Sequence, residues 1–167
     1  MENVGFVFQQ LDLYLQSIGL GVCWLGMGKL NAQGIEQTKR DDGLRCVMMM
    51  TFGYPKGDAL RSDAAEFKRK SLAEIADCAD ERLEAARLAP SSINSQPWYF
   101  VHEGEVIHAY CTRQGLIRNR ALGEMNRIDM GIALAQLYVA HADTFRFFQT
   151  ETAPEWKGYR YTGSFTL

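Results

Sequence analysis

Three short stretches of this chain carry residue types that could do chemistry. The first is Lys68-Arg69-Lys70 running into Ser71. Ser71 with Glu74 three positions on makes a capping box, so the basic triplet abuts the start of a predicted helix. A helix start presents unpaired N–H groups and a positive dipole end, and adjacent cations reinforce both. That combination suits a phosphate monoester; the alternative is a solvated basic turn. The second stretch is Ala89-Pro90-Ser91-Ser92-Ile93-Asn94-Ser95-Gln96-Pro97-Trp98. Prolines hold both ends while hydroxyls and amides crowd between them, a rigid loop able to hydrogen-bond a polyol and the amide edge of a heterocycle. Its alternative is a turn that bonds only to itself. Ser91 and Ser92 lack a nearby His and a Gly-x-Ser-x-Gly elbow, so no nucleophile is read there. The third is Gly19-Leu20-Gly21-Val22-Cys23-Trp24-Leu25-Gly26-Met27-Gly28. Trp24 stands where a dinucleotide fingerprint needs glycine, and Gly28-Lys29 is followed by Leu30 rather than Ser or Thr. What remains is a segment whose backbone amides can approach a flat ligand, or else a helix C-cap and turn.

Metal and disulfide chemistry find no support in the spacing. Cys23, Cys46, Cys78 and Cys111 are far apart with no CxxC pair, so buried reduced thiols are expected. His102 and His108 share a predicted hairpin, His141 closes a helix, and no HxxxH or HExxH occurs; no metal site is predicted. The balance of 18 Lys+Arg against 20 Asp+Glu, net −2, removes the electrostatic argument for nucleic acid as a partner. The apolar runs near 18–28 and 128–142 are broken by Gly, polar groups or Asp, and Met1 is followed by Glu and Asn. Neither run predicts a membrane span, and the expectation is a soluble, cytoplasmic protein. At 167 residues, 47% hydrophobic, the chain can bury one sizeable core and hardly two.

The elements that must position these stretches follow from periodicity. Val4, Phe8, Leu11, Leu15 and Ile18 form one stripe, predicting a helix over 3–18 that ends at Gly19-Leu20-Gly21. Residues 45–52 are a nearly continuous apolar run between Asp41-Asp42-Gly43 and Gly53-Tyr54-Pro55, which predicts a strand buried on both faces. A polar loop over 56–67 precedes the capping box. A helix over 80–89 is ended by Pro90, which disfavours helical geometry in the residue before it. Strands at 97–102 and 105–111 form a hairpin turning at Glu103-Gly104. Residues 127–142 are apolar nearly all round and predict a helix buried centrally or at a subunit interface. The tail from Trp156 to Phe165 predicts a closing strand.

An internal repeat is also legible. Aligning Gly5 with Gly131 pairs Gln10 with Gln136 and Leu11 with Leu137, and sets Phe6 against Ile132 and Phe8 against Leu134. Chance agreement between two amphipathic helices is the competing reading. The first helix begins almost at Met1, with no lead-in strand, so a start cut from a longer, duplicated architecture is expected.

The stretch from Glu84 to Trp98, with its Pro-Ser-Ser-Ile-Asn-Ser-Gln-Pro-Trp core, resembles the signature of the nitroreductase family of flavoproteins. The opening helix running into Gly19–Gly26, and Phe52-Gly53-Tyr54-Pro55 followed by the basic cluster, are similar to that family as well. The order is unusual, because the glycine segment here precedes the proline-bracketed loop. It resembles a fused subfamily in which two half-units of one chain imitate the usual homodimer, with 1–70 ending one pseudo-repeat and 71–167 forming the second. The resemblance implies an α+β fold, a central mostly antiparallel sheet with packed helices. It implies FMN bound between units, Lys68 and Lys70 on the phosphate, backbone at Leu25 and Gly26 facing the reactive edge, and Ser91, Ser92 and Asn94 approaching from the neighbouring unit. It implies ping-pong transfer from NAD(P)H through FMN to a small acceptor such as a nitroaromatic or quinone, by a homodimer or pseudo-dimer, with no catalytic residue beyond the cofactor. The alternative is a degenerate flavin-binding or interaction protein without turnover.

Overall fold

Apolar spacing over the opening residues produces helix α1 (Glu2–Ser17) in the computed structural model, which describes residues 1–26, 46–57, 61, 63–113 and 116–167, with only the backbone path over 116–122. Met27, Gly28 and Lys29 of the glycine segment, the turn at 41–43 and Arg45 lie outside the described residues. Two units follow from the chain's contacts, Asp12–Leu60, and Met1–Leu11 with Arg61–Leu167.

In the smaller unit α1 closes on a two-bond turn. Leu20 N donates to Leu15 O and Gly19 N to Gln16 O, both at 3.0 Å, with Gly19 at φ +84° in the left-handed region that a Cβ disfavours. Gly19 is thus the helix cap. Gly21 onward is not loop but strand β1 (Gly21–Leu25), antiparallel to β2 (Met49–Gly53) from Gly21 opposite Gly53 to Leu25 opposite Met49. The expectation of a strand buried on both faces is not met. Thr51, Phe52 and Gly53 are exposed, because among the described residues β2 has a single neighbour, β1. Asp12, at the α1 end of this unit, is buried and accepts Trp24 Nε1–H at 2.7 Å.

In the larger unit the capping box forms as read: Ser71 N and Oγ both donate to Glu74 Oε2 at 2.8 Å. The helix it opens, α2 (Leu72–Ile75), is a single turn. The expected helix over 80–89 starts as a 3₁₀ turn, Glu81–Leu83, capped by Asp80, and continues as α3 (Glu84–Leu88) up to Pro90. The hairpin is β3 (Trp98–Glu103) and β4 (Val106–Thr112), turning through Gly104-Glu105. Then come α4 (Leu116–Ala140), β5 (Arg146–Phe148) and β6 (Tyr159–Thr166). The sheet order β3-β4-β6-β5 is antiparallel throughout and places the tail strand inside the sheet, between β4 and β5. Phe100 meets Phe165 edge-on at 5.9 Å, and Phe145 stacks on Phe165 at 5.4 Å. With Trp98, Ile107, Tyr110 and α4's Ile128, Met130 and Leu137 they form the core, each large side chain contributing about 1.5–3 kcal/mol by burial.

The N-terminal turns of α1 cross α4 at the two glycines the repeat aligns. A Cβ added at Gly5 would stand 1.9 Å from Ile128 O and 3.0 Å from Ile132 N. One added at Gly131 would stand 1.9 Å from Glu2 O and 2.8 Å from Phe6 N. The two sets of neighbours are exchanged by the alignment, Glu2 with Ile128 and Phe6 with Ile132, so the crossing is locally two-fold.

The thiols depart from expectation. Cys23, Cys46 and Cys78 are exposed, and only Cys111 is buried, its thiol pushed up to about 11 chiefly by that burial. The sheet alternation puts His102 and His108 on opposite faces, since Val101 faces His108 and His102 faces Ile107 across the hairpin. No helix among the described residues is long and apolar enough to cross a membrane.

Candidate functional site

The proline-bracketed loop folds around an unusual backbone. Ile93, Asn94 and Gln96 have φ of 49°, 55° and 46°, three non-glycine residues in the left-handed region within four positions. Each such residue costs on the order of 1–3 kcal/mol, and such strain collects where a loop is shaped for a task. Ile93 is β-branched, for which this region is least favourable, and its side chain is 76% exposed rather than buried in return.

A dense set of hydrogen bonds sustains that shape. Ser91 Oγ accepts from Gln96 N at 2.9 Å, and Asn94 N and Ser95 N donate to Ser91 O and Ser92 O, both at 3.0 Å. Beneath the loop lies Asp129 of α4, the one charged residue in the apolar run 128–142, only 3% exposed. Its Oδ1 accepts Ser92 N at 3.0 Å and its Oδ2 accepts Ser95 Oγ at 3.4 Å. Burial pushes the Asp129 carboxyl up to about 6, and these two donors only partly oppose it. Trp98, at the loop's end, is buried with its Nε1–H unpartnered among the described residues.

The basic triplet is bonded into the same loop. Asn94 Nδ2 donates to Lys68 O at 2.7 Å, and Arg69 Nη1 donates to Asn94 Oδ1 at 2.7 Å. Lys70 N donates to Gln96 Oε1 at 2.7 Å, and Lys70 Nζ donates to Gln96 O at 3.0 Å. Arg87 Nη1 reaches Lys70 O at 3.3 Å. Lys68, Lys70, Ser91, Ser92 and Asn94 therefore come together in the larger unit. Leu25 and Gly26 are in the smaller one, Leu25 half-buried at the end of β1 and Gly26 in the turn after it. The roles within the group are uneven. The side chains of Ser91 and Asn94 and the Lys70 ammonium bond inside the loop and triplet, as the self-bonded alternative expects. Lys68 is exposed, and neither its ammonium nor the Ser92 hydroxyl has a partner among the described residues.

Arg69, Gln96 and Asp129 are the residues that reading by motif passed over. Arg69 holds Leu88 O at 3.3 Å and Asn94, with no carboxylate bonded to it among the described residues, and it lies 5.6 Å from the Phe67 ring centroid, which Arg61 also covers at 4.8 Å. Burial, then repulsion from Arg61 and Arg87, holds the Arg69 guanidinium below its ordinary range. Arg87 is compensated by Glu84, to whose two oxygens its Nε and Nη2 donate at 2.6 Å, whereas Arg69 has no acid bonded to it among the described residues, and that local positive potential favours binding an anion. The cationic part of the phosphate reading survives this geometry. The helix-dipole part does not, because α2 is one turn long and carries little macrodipole. The detectable signals were Arg69's place inside the triplet and Asp129's isolation in an apolar run.

No curated protein matches the chain. Among solved structures it is similar to a crystal structure described as "a putative nitroreductase" from Thermotoga maritima, with a TM-score of 0.61 and 19% identity over 96% of this chain and 61% of that one. The chain therefore spans about three fifths of that relative's length, and the likeness shows the α+β fold with antiparallel sheets. A family model described as "Putative TM nitroreductase" matches residues 1–141, and the chain belongs to that family.

Proposed function

We propose that the chain is an FMN-dependent oxidoreductase that takes electrons from NAD(P)H and passes them to a small acceptor such as a nitroaromatic or quinone. The observation that carries this is the fusion of the basic triplet with the strained, hydroxyl-rich loop into one hydrogen-bonded body, from Asn94 to Lys68 and from Lys70 to Gln96. The donor set fits FMN: cations for a phosphate, hydroxyls and an amide for a polyol chain. Bound FMN supplies the hydride chemistry.

The chain's own residues supply binding and orientation. Lys68 and Lys70 hold the phosphate by charge-assisted hydrogen bonds, and Arg69 adds positive potential beside them. Ser91, Ser92 and Asn94 of one repeat or subunit orient the ribityl chain and ring, and backbone at Leu25 and Gly26 of another faces the reactive edge. Asp129 acts beneath, keeping the loop in its strained shape. The assembly is a homodimer or pseudo-dimer, with 1–70 ending one repeat and 71–167 forming the next; the reciprocal crossing at Gly5 and Gly131 supports that division. The setting is the cytoplasm, where NAD(P)H is available. Nucleic acid and membranes are not partners in this reading.

A second reading, flavin or partner binding without turnover, is favoured by the self-bonded state of Ser91 and Asn94. One experiment separates them. The protein is titrated with FMN, then NADH or NADPH is added anaerobically. Uptake followed by bleaching of the oxidised-flavin absorbance supports the oxidoreductase. Uptake without bleaching supports the second reading, and no uptake overturns the oxidoreductase and leaves only partner binding.

A further inference from the structure

Outside that site, the fold assembles a second constellation that the sequence did not predict. The bend after α2 carries Asp77 and Cys78, and β3 carries His102, 24 residues beyond Cys78. Their junction is fixed by backbone. Ala76 makes a parallel bridge with Phe100, and Asp77 N donates to Phe100 O at 3.1 Å. His102 N donates to Asp77 Oδ2 at 3.0 Å, which turns the other carboxylate oxygen toward the ring. Asp77 Oδ1 lies 2.6 Å from His102 Nδ1, and Cys78 Sγ lies 3.3 Å from the same nitrogen. One donor atom from each of the three falls within 4.8 Å of the others.

We propose that Asp77, Cys78 and His102 bind a zinc ion, with His102 ligating through Nδ1 and water completing the shell. Four observations converge on this. First, the donor set is thiolate, imidazole and carboxylate, which selects zinc over magnesium or calcium, and its two anionic ligands balance a dication. Second, donors around tetrahedral zinc stand about 3.3–3.6 Å apart given its bond lengths. The sulfur–nitrogen pair needs to open by about 0.2–0.3 Å and the Asp77 oxygen by about 0.7 Å on the same basis. Third, the orienting partner of a zinc-bound histidine is in place: Asp80 Oδ2 lies 3.1 Å from His102 Nε2, the nitrogen left free to donate. Asp80 is itself held by Arg82, whose Nε donates to both its oxygens at 3.1 and 3.0 Å and whose backbone N donates at 2.9 Å. Fourth, Cys78 is exposed, so an ion has access and a coordination position faces solvent. Reading Cys78 with His102 as a nucleophile and base fits less well, because Asp77 already holds Nδ1 at the shorter distance. None of the residues assigned to FMN takes part, so this site stands or falls independently of that reading.

The test is a cobalt titration of chelator-treated protein, with zinc as competitor. One equivalent of Co2+ should bind, giving a near-ultraviolet sulfur-to-cobalt charge-transfer band that Zn2+ abolishes. Cys78→Ser should remove the band, whereas Cys23→Ser and Cys46→Ser should retain it. Asp80→Asn, which keeps a capping oxygen, should weaken binding about 10–100-fold. Zn2+ should also slow alkylation of Cys78, but not of Cys23, in the unmutated protein. A wild-type protein without the band, a band that survives Cys78→Ser, or equal protection of both thiols would overturn the proposal.

Discussion

The backbone amide of Lys70 donates to the side-chain oxygen of Gln96 at 2.7 Å, and the Lys70 ammonium donates to the Gln96 carbonyl at 3.0 Å. Gln96 is 4% exposed and left-handed at φ 46°, so this clamp joins the cationic triplet to one of the loop's three strained residues. Lys70 is therefore at once a proposed phosphate ligand and a structural strut, while Lys68 has only the first role.

That difference can be measured. Lys68→Ala should weaken FMN about tenfold or more, from loss of one charge-assisted hydrogen bond, with stability unchanged within about 0.5 kcal/mol. Lys70→Ala should weaken FMN comparably and also lower stability by about 1 kcal/mol. Flavin fluorescence titration and urea denaturation read the two effects. Full FMN affinity in the double variant would remove both lysines from the phosphate site.

The helix crossing makes a prediction of sign. In an exposed helix Gly→Ala usually stabilises by about 0.4–1 kcal/mol through the unfolded chain. At Gly5 or Gly131 the new methyl would meet a backbone carbonyl oxygen, which has no rotamer by which to escape. Each substitution should destabilise by roughly 1–3 kcal/mol, and the pair should be non-additive because one shift of the helices relieves both. Thermal melts that rise in either single variant would contradict the close crossing.

Asp129 sets a pH dependence. Its folded carboxyl is raised to about 6 from an ordinary 3.8, so the folded state holds the proton more tightly than the unfolded chain. Below pH 4 both states are protonated and it makes no difference; between about 4 and 6 stability falls as pH rises. The loss is of order 3 kcal/mol. Asp129→Asn should remove this slope while leaving an oxygen for Ser92 N–H. Identical slopes in chemical denaturation of the two proteins from pH 4 to 7 would refute it.

Glu2 acts with the opposite sign. Burial would raise its carboxyl, but hydrogen bonds from Arg127, its own backbone and Arg160 outweigh that and hold it at about 2. Arg127 Nε and Nη2 donate to its two oxygens at 2.9 Å, and Arg160 Nη2 donates at 3.0 Å. This stabilisation is present above about pH 4.5 and disappears as pH falls through 2. Glu2→Gln should cost on the order of 1–3 kcal/mol at pH 7 and show a shallower acid transition than the parent. Acid melts that superimpose would argue that the cluster contributes nothing.

Elements with a local cause were legible in the sequence. The helical period of α1, the Gly19 cap, the Ser71–Glu74 box, the stop at Pro90 and the turn at Gly104 each depend on residues within one or two turns of chain, although the buried face of α1 is Gly5, Gln9, Asp12 and Leu15 and the stripe's Leu11 and Ile18 are exposed. The proline-bracketed loop was legible for the same reason, its rigidity being written in its own residues. The alignment of Gly5 with Gly131 was visible as a pattern, but only the crossing shows why both positions exclude a side chain. The burial of β2 was overestimated because an apolar run records what a strand can bury and not how many neighbours it has. The three residues of β5 are too few to show a period. Gln96's clamp on Lys70, Asp129's place under Ser92 and Ser95, and the meeting of Asp77 and Cys78 with His102 were beyond reach of the sequence. Each joins residues 24 to 37 positions apart in the chain. Such pairs meet only because sheet registration and helix packing bring their backbones together, and no local preference of either partner encodes the distance.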